Sequence, residues 1–338
     1  MISPGLFRLL LATIVIGSHF TKLSIGGSAV YLFFVLSGFW IFRMFQMKYS
    51  RAETPYFVFL ASRSLRVLPI FLLFNTLALI LHFGLSDNVA HSQTVYDFIP
   101  NALVLGYSSL SQKPLAPAWS LDIEMQFYIV FPLIYYVMTK LIHYSWRIVT
   151  LFVLSGGVYI SFFLNRDGAD NVLPYLGFFL IGSIAAQSNL KLPTWATRLS
   201  PLLSMAFLVT FALLPALRGC LFPGLSPSNF IWNRALNFAL ALFLAPLALA
   251  SVHVRSSSGD RLAGDMSYVI YCCHWLAVVI ATDFLTGLSR ETKAPFVSLL
   301  IVAAYAVSYF VLIYVDRPIG RWRERWISRW LQRSMAVT

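Results

Sequence analysis

Ten apolar stretches, each long enough to cross roughly 30 Å of hydrocarbon, leave this chain one class of fold. They lie near residues 6–22, 28–46, 67–84, 119–139, 147–164, 172–188, 200–217, 231–251, 267–286 and 296–315. Inside hydrocarbon every backbone N–H and C=O must be satisfied within the segment itself, so stretches of this length form helices. The expected fold is therefore all-α, a polytopic membrane bundle of about ten transmembrane helices. The sixth and seventh are short or bounded by Pro174, Pro193 and Pro201, which leaves their ends the least defined. Composition excludes a soluble globule: of 338 residues, 59% are hydrophobic and 11% charged, too few charges to cover a soluble surface.

An even number of spans puts both termini on one side, and the basic residues say which. With a cytoplasmic N-terminus, 18 of the 25 Lys and Arg fall inside. Only Lys22, Lys113, Arg166, Arg218, Arg234, Arg290 and Lys293 fall outside, and the positive-inside rule selects this orientation. The net charge of +12 is thus a topology signal scattered between apolar runs, not a nucleic-acid patch. The first stretch ends in GSHFTKL, has no small-residue cleavage site and is followed by further spans, so it is expected to stay as a helix. The longest outer loop runs from about Leu85 to Ala118, and there is no internal repeat or low-complexity tract. Adjacent Cys272 and Cys273 with a solitary Cys220 make no disulfide framework.

Within the first stretch, Arg8 and His19 are separated by LLLATIVIGS. Eleven helical steps of about 100° return to within about 20°, so both side chains share one face about 16 Å apart along the axis. An ionisable group at membrane depth must be given a partner by the protein and is a functional candidate. The ordinary alternative for His19 is a hydrogen bond to a neighbouring helix. In the chosen orientation Arg8 lies at the cytoplasmic boundary and His19 in the outer half of the membrane, where a histidine can act as general base for a hydroxyl or carry an acyl group.

Arg63 and Arg66, in ASRSLRVLPIF, sit three apart on one helical face just before the third span, with Pro69 starting or bending it. Two guanidinium forks so placed can clamp phosphate; equally, they can anchor to lipid headgroups. At the outer start of the fourth span, PAWSLDIEMQFYIVFP puts Ser120, Glu124 and Tyr128 on one face, with Asp122 pointing away. Glu124 is the inward candidate, near the depth of His19, where it would orient the ring or stabilise an imidazolium. Asp122 fits a carboxylate at a helix N-terminus. In the ninth span Tyr271 and His274 share a face and either line a channel or make an interhelical hydrogen bond. Trp195, Trp232, Trp322, Trp326 and Trp330 read as interfacial belt residues. His82, His91, His143 and His253 show no metal-ligand spacing, and no metal is assigned.

Taken in order, these runs resemble the integral-membrane acyltransferase-three family, bacterial O-acyltransferases of surface glycans. The motifs that carry the resemblance are Arg8 with His19, VYLFFVLSGFWIFR at 30–43, Arg63-Ser-Leu-Arg66 with Pro69, WSLDIEMQFYIVFP at 119–132, SYVIYCCHW at 267–275 and DRP at 316–318. Two features depart from the family pattern: Asp316 stands where Glu is common, and no acidic residue precedes Arg8. The resemblance implies a single transmembrane acyltransferase domain over 1–320, with 321–338 as a basic cytoplasmic tail, in the bacterial inner membrane. It implies transfer of an acyl group, usually acetyl, from acetyl-CoA as co-substrate, with no resident cofactor, to a hydroxyl of a carbohydrate at the outer face. Essential roles then fall on Arg8, His19, Arg63 and Arg66, with the arginines docking cytoplasmic acyl-CoA and the pantetheine arm reaching towards His19. Other readings are a lipid or glycan transporter (flippase), which should show paired broken helices or half-to-half symmetry, and a membrane glycosyltransferase or ligase, which should carry its catalytic residues in a large outer loop.

Overall fold

The computed structural model describes residues 2–85, 97–140, 146–160, 171–224, 227–285 and 287–336. His91, His143, Arg166 and the end of the expected fifth span lie outside the described residues. Among those residues the chain is helical and without strands. In order the helices are α1 (Pro4–Phe20), α2 (Gly26–Met44), α3 (Pro55–Leu85), α4 (Phe98–Leu103), α5 (Trp119–Lys140), α6 (Trp146–Tyr159), α7 (Leu176–Gln187), α8 (Thr194–Leu213), α9 (Pro215–Leu221), α10 (Pro227–Ser251), α11 (Ser258–Asp283), α12 (Arg290–Val311) and α13 (Arg317–Ala336). Among the described residues seven helices, against the ten spans expected, are long and apolar enough to cross a membrane, and Pro4–Phe20 and Leu173–Gln187 are shorter apolar helices. The chain is a multi-pass membrane protein by these helices.

Three boundaries differ from the sequence reading for local reasons. Helix α3 begins at Pro55 and runs 31 residues, so Arg63 and Arg66 lie within it and Pro69 is an interior residue. The seventh span breaks: Leu214 is extended (φ −82°, ψ 113°) because the residue before a proline avoids the helical region, and Pro215 opens α9. At the other end, a π-helical turn at Leu312–Asp316 joins α12 to α13, making one continuous helix over Glu291–Leu331. Pro318 directly follows the π turn as the second residue of α13, and the expected basic tail is helical to Ala336.

The chain interleaves two compact units, Met1–Met44 with Leu133–Ser267, and Phe45–Pro132 with Tyr268–Thr338. In the first, α2 packs along α7 and α10 packs against α2 and α8. The α2–α7 crossing depends on two glycines: a Cβ on Gly38 would lie 2.0 Å from the Phe179 carbonyl oxygen, and one on Gly182 would lie 1.9 Å from that of Val35. Small residues that let backbones touch are the usual means of helix association where no hydrophobic drive exists between helices. Stacked ring pairs, Phe34 on Phe179 (4.6 Å) and Tyr31 on Phe178 (5.0 Å), fill the space beside them. The second unit is built around the buried rings of Tyr49, Phe59, Phe71, Phe127 and Phe131.

Candidate active site

Helix α1 starts with Pro4 in its first turn and no side-chain cap of its own. Its orphan donors are met from α11, where Asp260 accepts the Leu6 N–H at 2.8 Å and also bonds Ser256. The contact is backbone-close, since a Cβ on Gly5 would meet the Asp260 carbonyl oxygen. The acidic group missing before Arg8 is thus supplied across space, at the positive end of the α1 dipole. Phe7, Leu11, Ala12, Val15 and Ile16 are buried, while Leu6, Leu10 and Thr13 are exposed. At about 100° per residue, Arg8 and His19 fall in the middle of the buried arc, roughly opposite Leu10. His19 is nevertheless exposed. It stands in the last turn of α1, one residue before the helix ends at Phe20.

Beyond His19 the chain is clamped by two asparagines one turn apart on α10. Asn237 Oδ1 accepts the Ser28 N–H (2.8 Å), and its Nδ2 donates to the Ser24 carbonyl (2.9 Å). Asn233 Nδ2 donates to the carbonyls of Ser24 (2.7 Å) and Cys220 (2.6 Å). Both amides are buried, so each bond is made where an unmade one would be costly. Neither asparagine stands out in sequence, because an amide in an apolar helix reads alike whether it packs or clamps a loop.

In the second unit, Arg63 and Arg66 stand one turn apart on α3. Arg66 Nη1 pairs with Asp316 Oδ2 at 3.3 Å, the side chains being 25% and 10% exposed. Its guanidinium also lies over the Tyr268 ring (5.9 Å), and the Tyr268 hydroxyl donates to the Val67 carbonyl at 2.6 Å. Arg63 lies over Phe59 at 6.0 Å. Half-buried Arg323 of α13, which packs on α3, is within electrostatic reach of both arginines. Two π-helical turns border this cluster: Phe45–Tyr49 brings Tyr49 to Ser62 (2.8 Å), and Leu312–Asp316 delivers Asp316 to Arg66. An inserted residue of this kind re-aims the side chains that follow it and is frequent at functional sites. Three guanidinium groups gathered beside so few carboxylates suit a multiply charged anion. Asp316, the 267–275 run and the basic tail were visible in the sequence as motifs, but that Asp316, Tyr268 and Arg323 meet the α3 arginines depends on packing between distant segments.

Helix α5 supplies the polar wall. Glu124 is half-buried and hydrogen-bonded to the Tyr128 phenol, which is in turn within reach of Arg63 and Arg66. Glu124 thus belongs to the arginine neighbourhood, in the second unit, while His19 belongs to the first. Ser120 Oγ and Tyr271 Oη lie 2.7 Å apart, and both reach the Pro117 carbonyl at 3.0 Å. Ser120, Tyr128 and Tyr271 are all buried; Ser120 and Tyr271 meet at the Pro117 carbonyl, while Tyr128 bonds Glu124. His274 is fully buried beside Tyr271 and donates from Nδ1 to the Ile270 carbonyl of its own helix (3.1 Å). Asp122 is fully buried and organises the preceding loop: it accepts from the N–H groups of Gly106 (3.0 Å) and Ser108 (2.8 Å), the Ser108 hydroxyl and the Gln126 amide. Among the described residues no three His, Cys, Asp or Glu side chains gather as a metal site.

No curated protein and no solved structure matches the chain. A family model described as an acyltransferase domain does, over residues 2–315, a span that includes the Arg8–His19 helix, the Arg63–Arg66 turn and the α5 wall. The motifs and their geometry therefore have a family in common, and the chain belongs to the acyltransferase-3 family of membrane acyltransferases.

Proposed function

We propose that this membrane acyltransferase moves an acetyl group from acetyl-CoA to a hydroxyl of a cell-surface or lipid-linked polysaccharide, in the bacterial inner membrane. The observation that carries this reading is the arginine cluster of Arg63, Arg66 and Arg323 around Asp316. Acyl-CoA is a polyphosphate anion, and guanidinium forks bind phosphate with charge-assisted, bidentate hydrogen bonds. Asp316 holds the fork of Arg66 oriented until an anion takes its place, and Glu124 with Tyr128 limits the excess positive charge.

His19 handles the acceptor. As general base it takes the hydroxyl proton while the oxygen attacks the thioester carbonyl; the C–S bond then breaks and the CoA thiolate recovers the proton. In the relay variant His19 is acylated first, releasing CoA, and the acyl-imidazole then passes its group to the hydroxyl. Arg8 shares the face of His19 about 16 Å away along the axis, so it acts at the donor end of the path rather than on the reacting carbonyl. A layout of ten spans with both termini cytoplasmic fits this division, with the donor arriving from inside and the carbohydrate from outside.

The test is purified protein with labelled acetyl-CoA and a panel of bacterial glycans. Label should move to a hydroxyl ester, and His19→Ala should lose at least about 100-fold in rate. Undiminished transfer by His19→Ala, or no transfer to any acceptor, refutes the reading. Mass detection of acyl-His19 selects the relay; a ternary-complex rate law without adduct selects direct transfer.

A further inference from the structure

Helix α13 repeats the dipeptide Arg-Trp at four-residue spacing, at Arg321-Trp322, Arg325-Trp326 and Arg329-Trp330. Four residues return a helix to within about 40°, so the repeat draws an arginine stripe and, about 100° round from it, a tryptophan stripe. Arg317 extends the first stripe by one more turn. All four of these arginines are exposed, whereas Ile327 is buried and Arg323 is half-buried on the side of the α3 arginines. The stripe therefore lies on the side of α13 away from the donor cluster, and the acyl-transfer chemistry above does not use it. Glu324 is the one acid in the helix.

The packing of α13 on α3 sets the depth of the stripe in the bilayer. The Trp330 ring lies 5.8 Å from that of Phe57 and 5.9 Å from that of Trp326. Phe57, 54% exposed, stands in the first turn of the α3 span. From Phe57 to Leu81 that span rises about 36 Å, a little more than the roughly 30 Å of hydrocarbon, so Phe57 and Trp330 stand at the level of the lipid headgroups. At the other end of α13, Asp316 meets Arg66, about 14 Å further along α3. The helix thus runs beside the membrane-level start of α3 instead of projecting into water, and Trp322, 51% exposed, belongs to the same layer. Indole rings favour this layer, and arginine side chains reach lipid phosphates from it.

We propose that the exposed face of α13 is a binding surface for anionic phospholipid, with Arg321, Arg325 and Arg329 on the headgroup phosphates of one leaflet and Trp322 seated between neighbouring lipids. Charge complementarity selects the partner: a guanidinium stripe is matched by a row of phosphodiesters that carry no cation of their own, and the indoles beside it need an apolar layer that a soluble polyanion lacks. Because Arg323 stands on the opposite side of the same helix, lipid held on one face keeps the other against α3. This binding needs neither donor nor acceptor and is independent of the acyl-transfer reading.

The test uses the purified full chain in phosphatidylcholine vesicles that carry a minor fraction of a photoreactive lipid, either phosphatidylglycerol or phosphatidylcholine with the same reactive group near the glycerol. At low salt the phosphatidylglycerol probe should label residues 317–331 at least about tenfold more than the phosphatidylcholine probe, since each arginine near an anionic surface is worth about fivefold. Arg321→Gln, Arg325→Gln and Arg329→Gln combined should bring the two probes close to level. Roughly 1 M salt, which shortens screening to about 3 Å, should do the same to the unaltered chain. Arg325→Gln alone should cut the ratio about fivefold and serves if the triple variant fails to fold. Labelling of α8, whose exposed side is apolar from Leu199 to Leu213, is the reference and should not respond to the substitutions. Equal labelling of α13 by the two probes at low salt overturns the proposal, as does a preference that survives both the single and the triple substitution. Equal labelling together with tight binding of an RNA oligonucleotide would make the stripe a nucleic-acid surface instead.

Discussion

Replacing Asn237 by alanine tests whether the α10 clasp positions His19. The substitution removes an acceptor from the Ser28 N–H (2.8 Å) and donors from the carbonyls of Ser24 and Asn233 (both 2.9 Å). Partial substitutes remain: Ser28 N–H keeps the Ile25 carbonyl at 3.2 Å, and Ser24 keeps Asn233 at 2.7 Å. No group is fully orphaned, and the two Nδ2 protons are shared among three oxygens, Ser24 O, Asn233 O and Asn233 Oδ1, so with the Ser28 N–H the cost is three net hydrogen bonds rather than desolvation penalties. At about 0.6 kcal/mol per interhelical bond in membranes the loss is about 2 kcal/mol; at about 1 kcal/mol per bond, as in soluble proteins, it is about 3 kcal/mol. Denaturation of the detergent-solubilised protein reads this directly, and a cycle with Asn233→Ala should show coupling, because the two amides bond each other at 3.2 Å. Kinetics supplies the second readout. A misplacement of about 1 Å at a reacting group costs up to about 100-fold, so kcat should fall with the acetyl-CoA KM unchanged. A loss below about 0.5 kcal/mol together with full kcat would refute the reasoning.

The arginine cluster makes a separate kinetic prediction: Arg66→Ala and Arg323→Ala should each raise the donor KM by about 10- to 100-fold, the worth of about 1.5–3 kcal/mol for a charge-assisted bond, and flatten its salt dependence. An unchanged donor KM in both would remove the arginines from the donor site. Asp122→Ala leaves the Gly106 and Ser108 N–H groups without their acceptor and should cost about 2–4 kcal/mol, seen as faster proteolysis of the 97–118 loop. Gly38→Ala forces a methyl against the Phe179 carbonyl and should separate α2 from α7 at a cost of about 1–3 kcal/mol in unfolding. Tyr107 lies outside the spans, and burial pushes its phenol well above the ordinary tyrosine value of 10.0; the hydroxyl bonds Asn75 (2.9 Å) and the Leu115 N–H (2.7 Å). Because the folded value is the higher one, this stabilisation is complete below about pH 10 and is lost as pH rises further. Loop proteolysis should therefore accelerate in strong alkali, and Tyr107→Phe should lose that pH response.

Apolar length, which hydrocarbon makes decisive, made the all-helical membrane class readable from the chain without any fold, though seven rather than ten described helices have the length and apolarity to span, and Arg8 and His19 share one face of α1 because helical phase is a local property. The paired arginines, the face of Ser120, Glu124 and Tyr128, and the family motifs were readable for the same reason, each lying within a single helix. What depends on contacts between distant segments was not. Asp260 stands in for the acid missing before Arg8 from 254 residues away, and Asn233 and Asn237 reach back over 200 residues to the loop after His19. Glu124 went with the arginines because α5 packs beside α3 in the same unit, a choice that membrane depth alone leaves open. Asp316 met Arg66 only because a π turn shifted its register, an irregularity that no periodic pattern encodes. Local periodicity thus determined the elements and their faces; which faces meet, and with which charges, was decided by packing.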